Sequence, residues 1–434
     1  MEISFVIVFL GLLIFFAHLS NELFNKTKIP NVLLLLLIGI ILGPVTGIVH
    51  ISFFGEVGRI FTTITLIIIL FESGISLKFS ELRQSIGPAT FITLFNFIGS
   101  AAIVTVLAHL LGGIDWISSL YMGSVVGGIS SAVVIPMVRQ LSIGEESKVI
   151  LYLESVLSDV LCLVVALALL EGMQEGVINI GGVFSNMWKS FLFAGVFGIL
   201  GGTFWSVLLK NVRSIKNSMF TTLAFVFILY GFVESMGFNG GIATLMFGIM
   251  LGNSEAINDN KIFRRVFIIQ TTNLTDHERN FFGEIVFIVQ TYFFVFIGIS
   301  IQFGNLWTYL IGLLAVGLIL LYRPLVTKIF APRGMGFRDM TTLSIMAPKG
   351  LITAVLSSIP LQMGIFHGEW IQDLGYSIVL FSIIISSGLV IAFSNDPLFF
   401  TRMYKRNKNQ KPLKYNIEPP ISDSGKDERG LKPE

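Results

Sequence analysis

Charge is what this 434-residue chain has least of. Only 13% of its residues are Asp, Glu, Lys or Arg, where an ordinary soluble domain carries about 25%. With 53% hydrophobic residues and a mean hydropathy of +0.81, a water-soluble globule of this length would have nowhere to hide its apolar surface. Cysteine is almost missing: Cys162 stands alone, which excludes an intramolecular disulfide framework. The five histidines, His18, His50, His109, His277 and His367, are scattered without ligand spacing, so no transition-metal centre is called for. A formal net charge of +2 leaves no electrostatic footprint for nucleic acid.

What is abundant points one way. Forty-three Gly and forty Phe suit helices packed in lipid, where small residues permit close approach. Apolar stretches long enough to span occur near 3–23, 31–49, 57–77, 85–112, 115–138, 147–170, 188–209, 217–236, 239–252, 281–301, 305–326, 339–360 and 375–394, about thirteen in all. The first, beginning ISFVIVFLGLLIFFAHL, lacks a basic flank and a small-residue cleavage pattern, so it reads as a helix and not a signal peptide. Odd-numbered connections hold the basic residues, among them Lys26, Lys78, Arg139, Arg213, Arg264 and Arg338. Even-numbered ones hold acids such as Asp115, Glu175, Glu234 and Glu369. The positive-inside rule then places the N-terminus outside and the C-terminus in the cytoplasm. Residues 395–434 read as a cytoplasmic tail, mostly disordered, with a basic patch (Arg402, Lys405, Arg406, Lys408, Lys411, Lys414) suited to anionic lipid.

Two fragments recur in order. GIILG (Gly39–Gly43) returns as GIMLG (Gly248–Gly252), and GISLKF (Gly74–Phe79) returns as GISIQF (Gly298–Phe303). The copies are seven spans apart, an odd offset that reverses the direction of crossing. The expected architecture is therefore an all-α polytopic membrane domain over 1–394, built as an inverted repeat. Its parts would be repeat one at about 1–170, a linking helix at about 188–209 and repeat two at about 217–394. The fifth and twelfth spans, which correspond, are interrupted by GGISSAVVIP (Gly127–Pro136) and MAPKGLITAV (Met346–Val355). Such breaks are tolerated only against protein or a wet cavity. Crossed half-helices would need their dipoles compensated, and Lys349 is placed to neutralise carbonyl ends.

The sixth span reads YLESVLSDVLCLVV (Tyr152–Val165), with two carboxylates in an apolar run. Each costs about 2.5–3.5 kcal/mol at mid-bilayer on the gentler scales, so each needs a task. Asp159 and Ser155 share one face, and Glu154 and Ser158 share the next. That oxygen-lined stripe, completed by Ser130 or Ser131, suits a hard alkali cation. A buried Asp159 that holds either a proton or a cation is the minimum machinery of exchange; the plainer role is a structural pair with Lys349. Glu154 reads as an ion pair with Arg323, at the end of the eleventh span, or with Lys349, its rival role being direct ligation. Glu72 reads as snorkelling, Asn96 as an interhelical hydrogen bond, Glu284 as an interface residue, Cys162 as a small core hydrophobe and His277 as a solvated loop residue.

ESVLSD resembles the E-S-x-L-N-D motif of monovalent cation/proton antiporters, with Ser158 in place of the usual Asn. IGIILGP (Ile38–Pro44), FESGISLKFSEL (Phe71–Leu82), Arg323–Pro324 and PKGLI (Pro348–Ile352) are similar to that superfamily's other signatures. The resemblance implies a homodimer in the plasma membrane whose core domain moves against a dimerisation domain. By position, Asp159 binds cation and proton, Ser155 adds an oxygen, Glu154 pairs with a basic residue and Lys349 takes the place of the twelfth-helix Arg or Lys. Ser130–Ser131 stands where the sodium-type branch has Thr-Asp and looks more like the potassium-efflux branch, which commonly carries a further nucleotide-binding domain. The expectation is a secondary antiporter and not an enzyme, exchanging Na⁺, and in the alternatives Li⁺ or K⁺, for H⁺ without a cofactor. One titrating carboxylate favours electroneutral exchange. A sodium-coupled symporter would need a polar pocket for an organic substrate, and a channel would need no proton coupling.

Overall fold

A computed structural model describes residues 8, 11–19, 30–49, 55–77, 79–139, 141, 143–175, 180–213, 218–254, 274–303, 305–332 and 334–395. Among them all regular structure is helical: α1 (11–19), α2 (Asn31–Ile40), α3 (Gly55–Ser76), α4 (Phe79–Gly112), α5 (Trp116–Val126), α6 (Ser131–Arg139), α7 (Glu145–Glu175) and α8 (Ile180–Val212). These are followed by α9 (Ser218–Ser235), α10 (Gly240–Gly252), α11 (Asp276–Ser300), α12 (Leu306–Phe330), α13 (Phe337–Ile345), α14 (Leu351–Gln362) and α15 (Gly368–Asn395). Every apolar stretch in the sequence contains helix, the first described only in part. Among the described residues, seven helices are long and apolar enough to cross a membrane, and five shorter apolar ones accompany them. The expected tail, beyond Asn395, lies outside the described residues.

Exposure along α12 is the reverse of a soluble helix. Leu321 and Ile329 are 72% and 71% exposed, while Arg323 between them is 1% exposed. Apolar side chains facing outward and the cation facing inward are what a lipid surround dictates, since only the protein interior can satisfy a charge there. This corrects the expected position of Arg323 at the end of its span. The helix runs on to Phe330, and Arg323 sits well inside it. Hydropathy falls at the first charge, so a span read from sequence stops too early when that charge is paired inside.

The repeated glycine fragments pack against each other crosswise. α2 lies along α11 and α3 along α10. A Cβ on Gly39 would lie 2.7 Å from the Gly298 Cα, and one on Gly74 would lie 2.9 Å from the Gly248 Cα. Each GI-x-LG copy thus meets the GIS copy from the other half of the chain. Apolar side chains gain little by leaving lipid for protein, so such backbone approach is how membrane helices hold together. α2 closes in a π turn, Ile41–Val45, which accommodates Pro44 and brings Gly43 against Ile299.

Contacts at the helix ends join odd with odd and even with even connections in the expected count of spans. The Gly144 N–H donates to Asp339 Oδ1 at 3.0 Å, linking the fifth connection to the eleventh. Arg213 holds Glu278 in a two-pronged ion pair, with Nη2 2.6 Å from Oε2, linking the seventh to the ninth. Trp307 Nε1 donates to the Leu111 carbonyl at 3.0 Å, linking the expected fourth connection to the tenth. α11 starts earlier than the apolar run suggests because Thr275 and Glu278 form a capping box, which takes exposed His277 out of its expected loop and into the first helical turn.

Candidate functional site

Both expected interruptions are real breaks in helix. Residues 127–130 separate α5 from α6, and 346–350 separate α13 from α14. The two breaks touch. The Ser130 N–H donates to the Pro348 carbonyl at 2.8 Å, and Lys349 Nζ donates to the Gly128 carbonyl at 2.6 Å. Thr353 Oγ1 donates to the Val125 carbonyl at 3.0 Å and the Tyr121 hydroxyl to the Leu356 carbonyl at 2.7 Å, so α14, which leaves the second break, is tied to α5, which enters the first.

Four helix ends therefore meet inside the bundle, and each carries partial charge. The carbonyl end of α5 receives Lys349. The carbonyl end of α13 receives Arg323, whose Nη2 donates to the Leu343 oxygen at 2.8 Å. The N–H end of α6 faces Asp159, whose Oδ2 accepts the Ser131 hydroxyl at 2.7 Å and, more weakly, the Ser131 N–H at 3.4 Å. At the start of α14 the N-cap Gly350 offers no side chain, and its flat surface accommodates Ser130. Two cations thus serve two carbonyl ends, whereas one carboxylate serves the N–H end of α6 and the start of α14 has no side-chain cap.

The two carboxylates of α7 are treated differently. Glu154, 1% exposed, pairs with Arg323 through two bonds, Nη1 to Oε1 at 2.7 Å and Nη2 to Oε2 at 3.1 Å. Asn96 Nδ2 on α4 adds a third bond to Oε1 at 2.8 Å. Of the two partners open to Glu154, the structure selects Arg323. Asp159, 6% exposed, forms no salt bridge among the described residues, and Lys349 is committed to a backbone oxygen instead. Among the described residues its hydrogen bonds come from the hydroxyl and N–H of Ser131.

The hydroxyls divide as well. Ser158 Oγ accepts the Ile129 N–H at 3.0 Å and donates to the Ser155 carbonyl at 3.2 Å. Ser155 Oγ donates to the Tyr152 carbonyl at 2.9 Å and keeps its lone pairs one turn from Asp159. Ser130 rests against Gly350 and Ser131 turns to Asp159, so one of the adjacent serines faces the second break and the other faces α7.

Glu72 and Asn96, given minor roles from sequence, and Ser382, not singled out there, belong to this region. Glu72 on α3 accepts the Ser76 hydroxyl at 2.8 Å, and its carboxylate and the Lys349 ammonium both lie close enough to act on Asp159 electrostatically. The signal was present, because Glu72 and Ser76 repeat the carboxylate and hydroxyl at four-residue spacing that drew attention to Ser155 and Asp159. Asn96 completes the Glu154 pair and Ser382 on α15 accepts the Lys349 N–H at 2.8 Å; neither has a local pattern that marks it. Glu284, expected at an interface, is exposed on α11.

Comparison with known proteins fits this geometry. The sodium/hydrogen exchanger transmembrane family matches residues 11–394. The K(+)/H(+) antiporter NhaP2 of Shewanella oneidensis is 23% identical over 420 residues, covering 94% of this chain and 67% of that protein. Human sodium/hydrogen exchanger 8 is 25% identical over 328 residues, covering 69% of this chain and 54% of its own. The solved structure of the sodium proton antiporter MjNhaP1 from Methanocaldococcus jannaschii superposes with a TM-score of 0.70 at 20% identity, covering 89% of this chain and 100% of that one. The fold is shared.

Proposed function

The chain belongs to the sodium/hydrogen exchanger family of multi-pass membrane proteins, and on that premise we propose that it exchanges Na⁺ for H⁺ by competition at Asp159. The observation that carries this reading is the contrast on α7: Glu154 is bonded by Arg323 and Asn96, while Asp159 is buried and forms no salt bridge among the described residues. An unpaired buried carboxylate is costly, so it holds either a proton or a metal cation. Oxygens of Ser131 and Ser155, with backbone carbonyls of the breaks, complete a set suited to an alkali ion, which has no use for sulfur or imidazole. Ser158 and Ser130 support the breaks beside it, and Glu72 adds a second carboxylate nearby. The loaded site, neutralised by either ligand, crosses the barrier and the bare one does not, which couples the fluxes one for one without net charge.

K⁺ is the second cation considered, because the first break offers Ser131 where a second carboxylate would bind Na⁺ more strongly, and because NhaP2 is described as a K(+)/H(+) antiporter. The surrounding proposal is a homodimer in the plasma membrane with about thirteen crossings, N-terminus outside and C-terminus inside, built on an inverted repeat. The crosswise packing of the repeated glycines and the pairing of odd with odd and even with even connections support it. No cofactor or organic substrate enters the reading, which leaves a sodium-coupled symporter and a cation channel as its rivals.

The test is pH-dye dequenching in proteoliposomes on adding Na⁺, then K⁺, with and without an imposed potential. A Na⁺ response indifferent to potential supports the proposal. A K⁺-only response moves the chain to the alternative, and silence to both ions ends the antiporter reading.

A further inference from the structure

Gly128 is held at both ends of its own residue. Its carbonyl accepts Lys349 Nζ at 2.6 Å, and its N–H donates to the Sγ of Cys162 at 3.0 Å. Cys162 lies on α7 three residues beyond Asp159 and is 2% exposed. Its neighbours on that face act alike: Ser158 Oγ accepts the Ile129 N–H, and Asp159 accepts from Ser131. With the Ser130 N–H on Pro348, every backbone N–H from 128 to 131 has a partner, three of them side chains of α7. Buried backbone donors need such partners, most of all where helix stops inside a membrane.

We propose that Cys162 is a positioning residue for the cation site, its sulfur acting as the acceptor that fixes Gly128 and, through it, the crossing of the two breaks around Asp159. A buried thiol ordinarily serves as a small hydrophobe with weak polar capacity. Here the glycine beneath it shows a closer engagement. A Cβ on Gly128 would lie 2.8 Å from Sγ and 2.9 Å from the Ser158 carbonyl oxygen, so the backbone is drawn against α7 as far as a residue without a side chain allows. The same peptide strand then presents its carbonyl to Lys349. Loss of the sulfur frees the Gly128 N–H, loosens the Lys349 contact and lets Ser131 drift from Asp159. Cation affinity should fall more than turnover, since the pieces of the site remain but are no longer held in register.

The positional part of this proposal stands on geometry, and its effect on affinity rests on the antiporter reading. Two measurements on Cys162→Ala and Cys162→Ser separate them. In amide hydrogen exchange of the full-length protein in detergent, Cys162→Ala speeds exchange of the segment containing Gly128. Cys162→Ser, whose hydroxyl also accepts, stays near wild type. In proteoliposomes Cys162→Ala raises the apparent KM for the transported cation roughly 3- to 10-fold, the worth of one hydrogen bond, with kcat little changed, and Cys162→Ser recovers it. Unchanged exchange at Gly128 in Cys162→Ala overturns the proposal. So does faster exchange with an unaltered KM in a protein that transports, or a rise in KM that serine does not reverse. A wild type that moves neither Na⁺ nor K⁺ sinks the antiporter reading, and the hydrogen-exchange arm still decides whether sulfur holds the break.

Discussion

Glu154 and Asp159 sit five residues apart on one helix, are both buried and carry the same functional group, yet the fold gives them opposite surroundings. Glu154 receives a guanidinium by two bonds and an amide by a third. Asp159 receives one hydroxyl and one long backbone bond. A carboxylate with a permanent cation has no reason to take up another, so Glu154 joins α4, α7 and α12. A carboxylate without one has a vacancy in its electrostatics that a mobile ion or proton can fill. What a buried acid does is decided by its partners more than by its depth.

The comparison breaks most completely at Asp159. Asp159→Asn removes the only group proposed to exchange ligands while keeping an acceptor for Ser131, so exchange should fall to the level of empty liposomes with the protein still eluting and melting like wild type. Glu154→Gln should do the reverse and act first on stability. It strands Arg323 in the bundle, at a cost of roughly 3–5 kcal/mol, read as a fall in melting temperature in detergent. Replacing Arg323 by Met in the same protein should recover much of that loss, because no unpaired charge remains. A Glu154→Gln protein that stays stable but loses only cation affinity would make Glu154 a ligand and erase the distinction.

Smaller changes sharpen it. Ser131→Ala withdraws the hydroxyl from Asp159 and leaves the N–H, so the apparent cation KM should rise by roughly 3- to 10-fold with little loss of stability. At the far end of α5, Asp115 offers a control outside the membrane. Its side chain caps the helix by accepting the Ile117 and Ser118 N–H groups. Partial burial works to raise its pKa, but the hydrogen bonds from Ser118 and Ile117 outweigh that and hold the carboxyl below its ordinary value. A depressed pKa contributes stability above the unfolded-state value that is lost as pH falls through the folded one. Asp115→Ala should therefore cost about 1 kcal/mol at neutral pH and nothing in strong acid, with transport unchanged.

Some of this was legible in the sequence for physical reasons. Helix breaks within a membrane need glycine, proline and hydroxyls together, and GGISSAVVIP and MAPKGLITAV announce themselves by that composition. Carboxylates in an apolar run are conspicuous because each is expensive. Partners were not legible. Glu154 meets Arg323 across 169 positions, and nothing local separates Arg323 from Lys349 as its mate. Ser130 and Ser131 are neighbours of one type, and only the backbone course of the break decides which one turns to Asp159. Cys162 reads as a hydrophobe until Gly128 is found beneath it.

The most direct measurement is calorimetric titration of the purified protein with Na⁺ and with K⁺ in two buffers of different ionisation enthalpy, for wild type and Asp159→Asn, at a pH where the carboxyl is protonated. Competition at one carboxylate predicts that the wild type releases one proton for each cation bound, and that Asp159→Asn binds neither ion. Cation binding without proton release, or binding that survives Asp159→Asn, would contradict the account.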